Sequence, residues 1–143
     1  MGRRRAAREL ALRVLFQVDV GGMSAEEAFA LAAGSERCAA ETVEFARQLV
    51  AGVLAHRDEI DRTIEEYARG WTLSRMANVD RNVLRLAVFE LMHMPDIPAS
   101  VTLDEAVEMA KKYSTAESGR FVNGILGSLA RELEERAREA PAP

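Results

Sequence analysis

The side chains best equipped for chemistry lie at the start of the chain, in the stretch RRRAARE, where Arg3, Arg4, Arg5 and Arg8 gather four guanidinium groups within about two helical turns. Up to Arg13, five arginines face a single glutamate, Glu9, although the formal net charge of the whole chain is -4. The charge is therefore sorted along the chain. Cations at a helix N-terminus oppose the helix dipole, by a few tenths to about 1 kcal/mol each. An outside anion would offset that cost. The planar guanidinium fork pairs with phosphate and stacks on bases, so the chemistry this cluster suits is nucleic-acid binding. Arg8 strengthens the reading, because the pattern puts it on the polar side of the helix, one turn from Arg4 and Arg5. The plainer alternative is a solubilising tail.

A second candidate is SGRFVNG, residues 118–124. At about 100° per residue, Phe121 falls roughly 95° from the mean direction of its helix's apolar stripe, at the edge of the core. A Phe there, beside Arg120, can offer its face to a base, an interaction worth about 1–3 kcal/mol. An ordinary boundary core residue would have the same spacing. A third segment, VDRNVLRLAVFEL, holds Asp80, Arg81, Arg85 and Glu90 on an otherwise apolar helix. Asp80 suits the helix dipole, and Arg85 and Glu90 read as internal pairs or partner contacts.

Catalytic constellations are not found: the sequence has no Gly-rich phosphate loop, HExxH or nucleophile elbow. Adjacent carboxylates such as Glu65 and Glu66 diverge on a helix. His56 and His93 lie far apart and without nearby cysteines, so no metal and no cofactor is expected. The single cysteine, Cys38, points to a reducing, cytoplasmic setting. The basic start lacks the apolar stretch of a signal peptide, and no apolar run is long enough to span a bilayer.

Long helices must position these residues. With 143 residues, 48% hydrophobic, but only nine glycines and four prolines, the chain is one domain with few turns. The i, i+3, i+4 stripe Ala7, Leu10, Ala11, Val14, Leu15, Val18 marks a first helix ended by Gly21 and Gly22. Ser24 and Glu27 have capping-box spacing and start a short second helix through about Ala33. A third runs from about Cys38 to Ala55, and a fourth carries Ile60, Ile64 and Tyr67 inward. Between Trp71 and Ala77 the pattern breaks, leaving room for one helical turn. The next helix is apolar almost all round and must be buried on several sides. Pro95 and Pro98 force an extended exit. Thr102 with Glu105, and Ser114 with Glu117, have capping-box spacing and open two further helices, the last with core residues Val122, Ile125, Leu126, Leu129 and Leu133. The fold class is all-α, about seven helices, with a subdomain seam in the broken segment between Trp71 and Ala77 and 141–143 a frayed tail.

Three stretches together, RRRAARELALRVLFQ, VDRNVLRLAVFELM and VTLDEAVEMAKKYSTAESGRFVNGILGSLA, resemble the NusB family of transcription antitermination factors in order and over nearly the whole chain. The resemblance implies two packed helical subdomains, about 1–70 and 71–140, in a non-enzymatic protein that binds the boxA element of ribosomal RNA transcripts jointly with the ribosomal protein NusE, and then joins RNA polymerase in an antitermination complex. It places RNA contacts at Arg4, Arg5 and Arg8, with Arg3 adjoining, and at Phe121 with Arg120. It places partner contacts at Phe16 and Asp80, with the acidic Glu117 beside the RNA site. Residues 70–77 match poorly, so no role passes to Trp71. A homodimer and a monomer are both compatible with the family. Alternatives are a helical adaptor that binds only protein, a membrane-surface helix over residues 3–18, which lacks Trp, and the N-terminal domain of a ribosomal RNA methyltransferase, for which a cofactor domain is not expected here.

Overall fold

The computed structural model describes residues 3–34 and 38–140, and within them all regular structure is helical. Helix α1 (Arg3–Asp19) buries Ala7, Leu10, Ala11, Val14 and Leu15, the face its spacing predicts. Helix α2 (Ala25–Gly34) opens on the expected box. The Ser24 N–H donates to Glu27 Oε1 and the Glu27 N–H to Ser24 Oγ, both at 3.1 Å. Helices α3 (Ala40–Ala55) and α4 (Arg57–Tyr67) follow, then a single 3-10 turn at Leu73–Arg75 inside the broken segment. Helices α5 (Asn78–His93), α6 (Ala99–Tyr113) and α7 (Ala116–Glu139) complete the order.

Helix α5 is the axis of the bundle, because its circumference from Asn82 to Glu90 is buried and α1, α3, α4, α6 and α7 all pack on it. Its approach to α3 needs Gly52, since a Cβ there would sit within the Phe89 ring. One apolar cluster runs from Leu10 and Leu49 through Leu84 to Leu126. Among the described residues no helix is long and apolar enough to cross a membrane.

Two expected caps are corrected. Helix α6 starts immediately after Pro98, so Thr102 lies inside it, and its hydroxyl donates to Glu90 Oε1 at 2.9 Å instead of capping. Inside the helix the N–H groups that a capping hydroxyl would satisfy already bond carbonyls one turn back, and the Thr102 hydroxyl donates to the buried carboxylate. For α7 the cap is Thr115, whose Oγ1 accepts from the Ser118 N–H at 3.1 Å, one residue later than the Ser114 box. The tail 141–143 lies outside the described residues.

Candidate nucleic-acid interface

The amino-terminal arginines all sit on the first two turns of α1, and each has met a partner from its own chain. Arg3 pairs with Glu41 on α3 at 2.9 Å. Arg4 lies over the Phe45 ring, 4.7 Å from its centroid. Arg5 makes a two-pronged contact with Glu105 on α6, at 3.0 and 2.8 Å. Hydrogen bonds from Arg5 hold the Glu105 carboxyl below its usual range, against partial burial. The electrostatic cost of cations at this terminus is thus met inside the molecule, and it no longer requires an outside anion. Arg3, Arg4 and Arg5 nevertheless remain exposed, and exposed pairs of this kind are worth little and exchange readily.

Arg8 departs from expectation. It is buried, not on the polar side: its side chain is 4% exposed and binds Glu90, 2% exposed, through two hydrogen bonds of 2.8 Å. Three residues of helix turn Arg8 by about 300° from Arg5, so that it faces α5, where Glu90 projects from the opposite wall. Glu90 fulfils the internal-pairing expectation, as does Arg85, which grips Asp61 at 2.9 and 3.1 Å.

Phe121 is half-buried on α7 with Arg120 exposed beside it, as its position at the edge of the apolar stripe implies. Its neighbour was not legible: Trp71, 47% exposed, stands edge-to-face against it with centroids 5.7 Å apart at 69°. Helices α1 and α7 do not form a principal packing pair, because α6 lies against α7 and takes the contacts from Arg5. The arginine cluster and Phe121 are therefore carried by helices that do not pack chiefly on each other.

Phe16 lines an apolar cleft of about 340 Å³ with Leu12, Leu31, Val79 and Tyr113, where α1, α2, α5 and α6 meet. Asp80, next to Val79, is buried and not on the surface. Its Oδ2 accepts from Ser118 Oγ at 3.1 Å, while Oδ1 has no hydrogen-bond partner among the described residues. Burial pushes its carboxyl up, against hydrogen bonds from Ser118 and Ser114. Glu117 is exposed in the first turn of α7. His56 and His93, remote in sequence, are brought together: their rings stack at 4.1 Å, and their nitrogens and Glu59 lie within 4.8 Å of one another. Stacked rings send their lone pairs side by side and not to one point. The cluster serves as a fastening of α4 to the end of α5, through His93 Nε2 and Glu59 Oε1 at 2.9 Å.

A helical bundle with an exposed aromatic corner, a surface arginine cluster and an apolar cleft is the build of a binding protein. The family model for the NusB family matches residues 5–131. The transcription antitermination protein NusB of Symbiobacterium thermophilum is 52% identical over 142 residues, covering 94% of this chain and 93% of that one. T. maritima NusB is 40% identical, with a TM-score of 0.84 and 92% of each chain covered. A chain in the crystal structure of antitermination factors NusB and NusE in complex with dsRNA is 30% identical, with a TM-score of 0.85, over 91% of this chain and 97% of that one. The chain belongs to the NusB family, whose non-enzymatic members act in transcription antitermination.

Proposed function

We propose that this chain binds the boxA element of ribosomal RNA transcripts together with ribosomal protein NusE, and that the pair joins RNA polymerase in an antitermination complex. The observation that carries the reading is the likeness, over most of both chains, to the solved assembly of NusB, NusE and dsRNA. Arg3, Arg4 and Arg5 supply phosphate attachment by exchanging Glu41, Phe45 and Glu105 for the nucleic acid. Phe121 and Arg120 supply a stacking face and a neighbouring cation, with Glu117 close by in sequence. Arg8 is left out of this surface, since its exposure would strand the buried Glu90 charge.

NusE takes the cleft at Phe16. A depression walled mainly by Leu12, Leu31 and Val79, with Arg13 and Gln17 also lining it, suits a protein partner that brings an apolar side chain. Asp80 contributes by fastening the start of α5, and with it Val79, to α7 through Ser118. The test is a gel-shift titration of NusE into the chain and RNA, using the Phe16→Asp variant. Loss of ternary complex with retained weak RNA binding supports the assignment. Undiminished ternary complex refutes it.

A further inference from the structure

We propose that Trp71 and Phe121 form a two-ring stacking platform for the bases of single-stranded RNA, with Arg69, Arg75 and Arg120 as the adjoining phosphate contacts. This rests on the RNA reading above and adds to it Trp71 and two cations, Arg69 and Arg75, from outside the amino-terminal cluster.

Two independent observations carry it. The first is how Trp71 is held. The chain leaves α4 through consecutive left-handed residues, Arg69 (φ 38°) and Gly70 (φ 85°), and the segment beyond is fixed by its backbone. The Leu73 N–H donates to Glu65 Oε2 at 2.9 Å, and the Leu73 carbonyl accepts from Arg81 Nη1 at 3.0 Å. Leu73 and Met76 anchor the same segment in the core. A large indole on so well fixed a turn could easily have been buried, yet it stays 47% exposed, against a second ring. The edge-to-face contact covers at most one ring face and the core covers part of the half-buried Phe121, so the indole supplies most of the open face for bases to stack on and Phe121 its exposed part. Because the turn is already ordered, stacking there costs little further conformational entropy.

The second observation is where the free cations are. Arg3, Arg5 and Arg8 are matched by Glu41, Glu105 and Glu90. Among the described residues, Arg69, Arg75 and Arg120 are exposed and, like Arg62 and Arg131 further along α4 and α7, have no carboxylate or aromatic partner; these three lie nearest the two rings in sequence. Two flank Trp71 on its own connection and the third is adjacent to Phe121. Aromatic faces interleaved with unneutralised guanidinium groups make the combination that holds a single strand without regard to sequence. Duplex RNA would not expose its bases to such faces.

Trp71 is the sole tryptophan of the chain, so the intact protein carries its own reporter. The experiment titrates boxA RNA, and a scrambled RNA of the same length, into the full chain with NusE present. Tryptophan emission, less that of NusE alone, and anisotropy of end-labelled RNA are read on the same samples. The expected result is quenching of the emission in step with the rise in anisotropy. Trp71→Ala should weaken binding about 5- to 150-fold, and Trp71→Phe should recover most of that loss. Circular dichroism of both variants checks the fold, and the quenching itself needs no variant. If anisotropy reports binding while emission is unchanged and Trp71→Ala binds like the parent, the platform is refuted and the RNA reading stands. If the emission change comes with NusE before any RNA, the ring belongs to a protein interface and the platform is again refuted. If the parent chain gives no anisotropy change with either RNA, the RNA reading fails and the platform with it.

Discussion

Replacing Arg8 by alanine should destabilise the fold severely, although Arg8 belongs by sequence to a run of surface arginines. The guanidinium and the Glu90 carboxylate are 4% and 2% exposed and meet through two bonds of 2.8 Å, with the Thr102 hydroxyl completing the carboxylate's shell. Removing one partner of such a pair leaves a buried charge with no counter-charge, at a cost of about 3–5 kcal/mol. Total stability of a domain is about 5–15 kcal/mol, so this is a large share of it. At about 2.1 cal/mol/K of unfolding entropy per residue, a chain of 143 residues should lose about 10–17 °C in Tm. Arg5→Ala is the matched control, because Arg5 makes the same two-pronged contact from the same helix with a side chain 55% exposed. It should shift the melt by a small fraction of that amount. Arg8→Met combined with Glu90→Met should regain most of the loss, since no unpaired charge remains. Thermal melts followed at 222 nm decide the matter. An Arg8→Ala melt within two or three degrees (~2–3 °C) of the parent would refute the reasoning.

Other perturbations probe separate parts of the account. Gly52→Ala puts a methyl group into the Phe89 ring and should cost about 1–3 kcal/mol by urea unfolding. Asp80 and Asp19 should respond to pH with opposite signs. The raised carboxyl of Asp80 favours folding in acid and becomes a cost as pH rises through its folded value, so the gain in Tm from Asp80→Asn should grow from about pH 4 to 7. Burial pushes Asp19 up, but hydrogen bonds from Asn82 and Arg81 and the charge of Arg85 outweigh it and hold the carboxyl low. Its stabilisation is present above the ordinary carboxylate range and lost as pH falls through the lowered value, so the deficit of Asp19→Asn should be full at neutral pH and narrow in acid. The combined change of Arg3, Arg4 and Arg5 to alanine should reduce the slope of log K against log salt for RNA by about 2, with the melt nearly unchanged, as read by anisotropy across a salt series.

Helix order and the core stripe were legible because each rests on local periodicity: Leu10, Val14, Val122, Ile125 and Leu129 are buried where spacing puts them. The all-round apolar character of α5 likewise foretold its central place. The candidate site was legible only in part. Spacing put Phe121 at the core's edge, and a charge on an apolar helix marked Glu90 as either an internal pair or a partner contact, of which the structure shows the first. Spacing missed Arg8 because helical geometry says which face a residue occupies, and only the tertiary packing says that this face meets α5. It missed the Glu105 pairing for the same reason, since two residues a hundred positions apart share no local signal. Trp71 was passed over because its segment breaks periodicity, and a single exposed indole in an irregular connection gains meaning only from the ring it meets. The signal available was modest: a tryptophan bracketed by Arg69 and Arg75. Thr102 shows a local rule overridden, its capping spacing intact while its hydroxyl serves a buried carboxylate.

The most direct measurement is the affinity of the purified chain for boxA RNA and for a scrambled RNA of equal length, each with and without NusE, at one fixed salt concentration. The account predicts weak, unselective binding by the chain alone and markedly tighter binding of boxA once NusE is added. Equal affinities for the two RNAs in the presence of NusE, or no RNA binding in any arm, would contradict it.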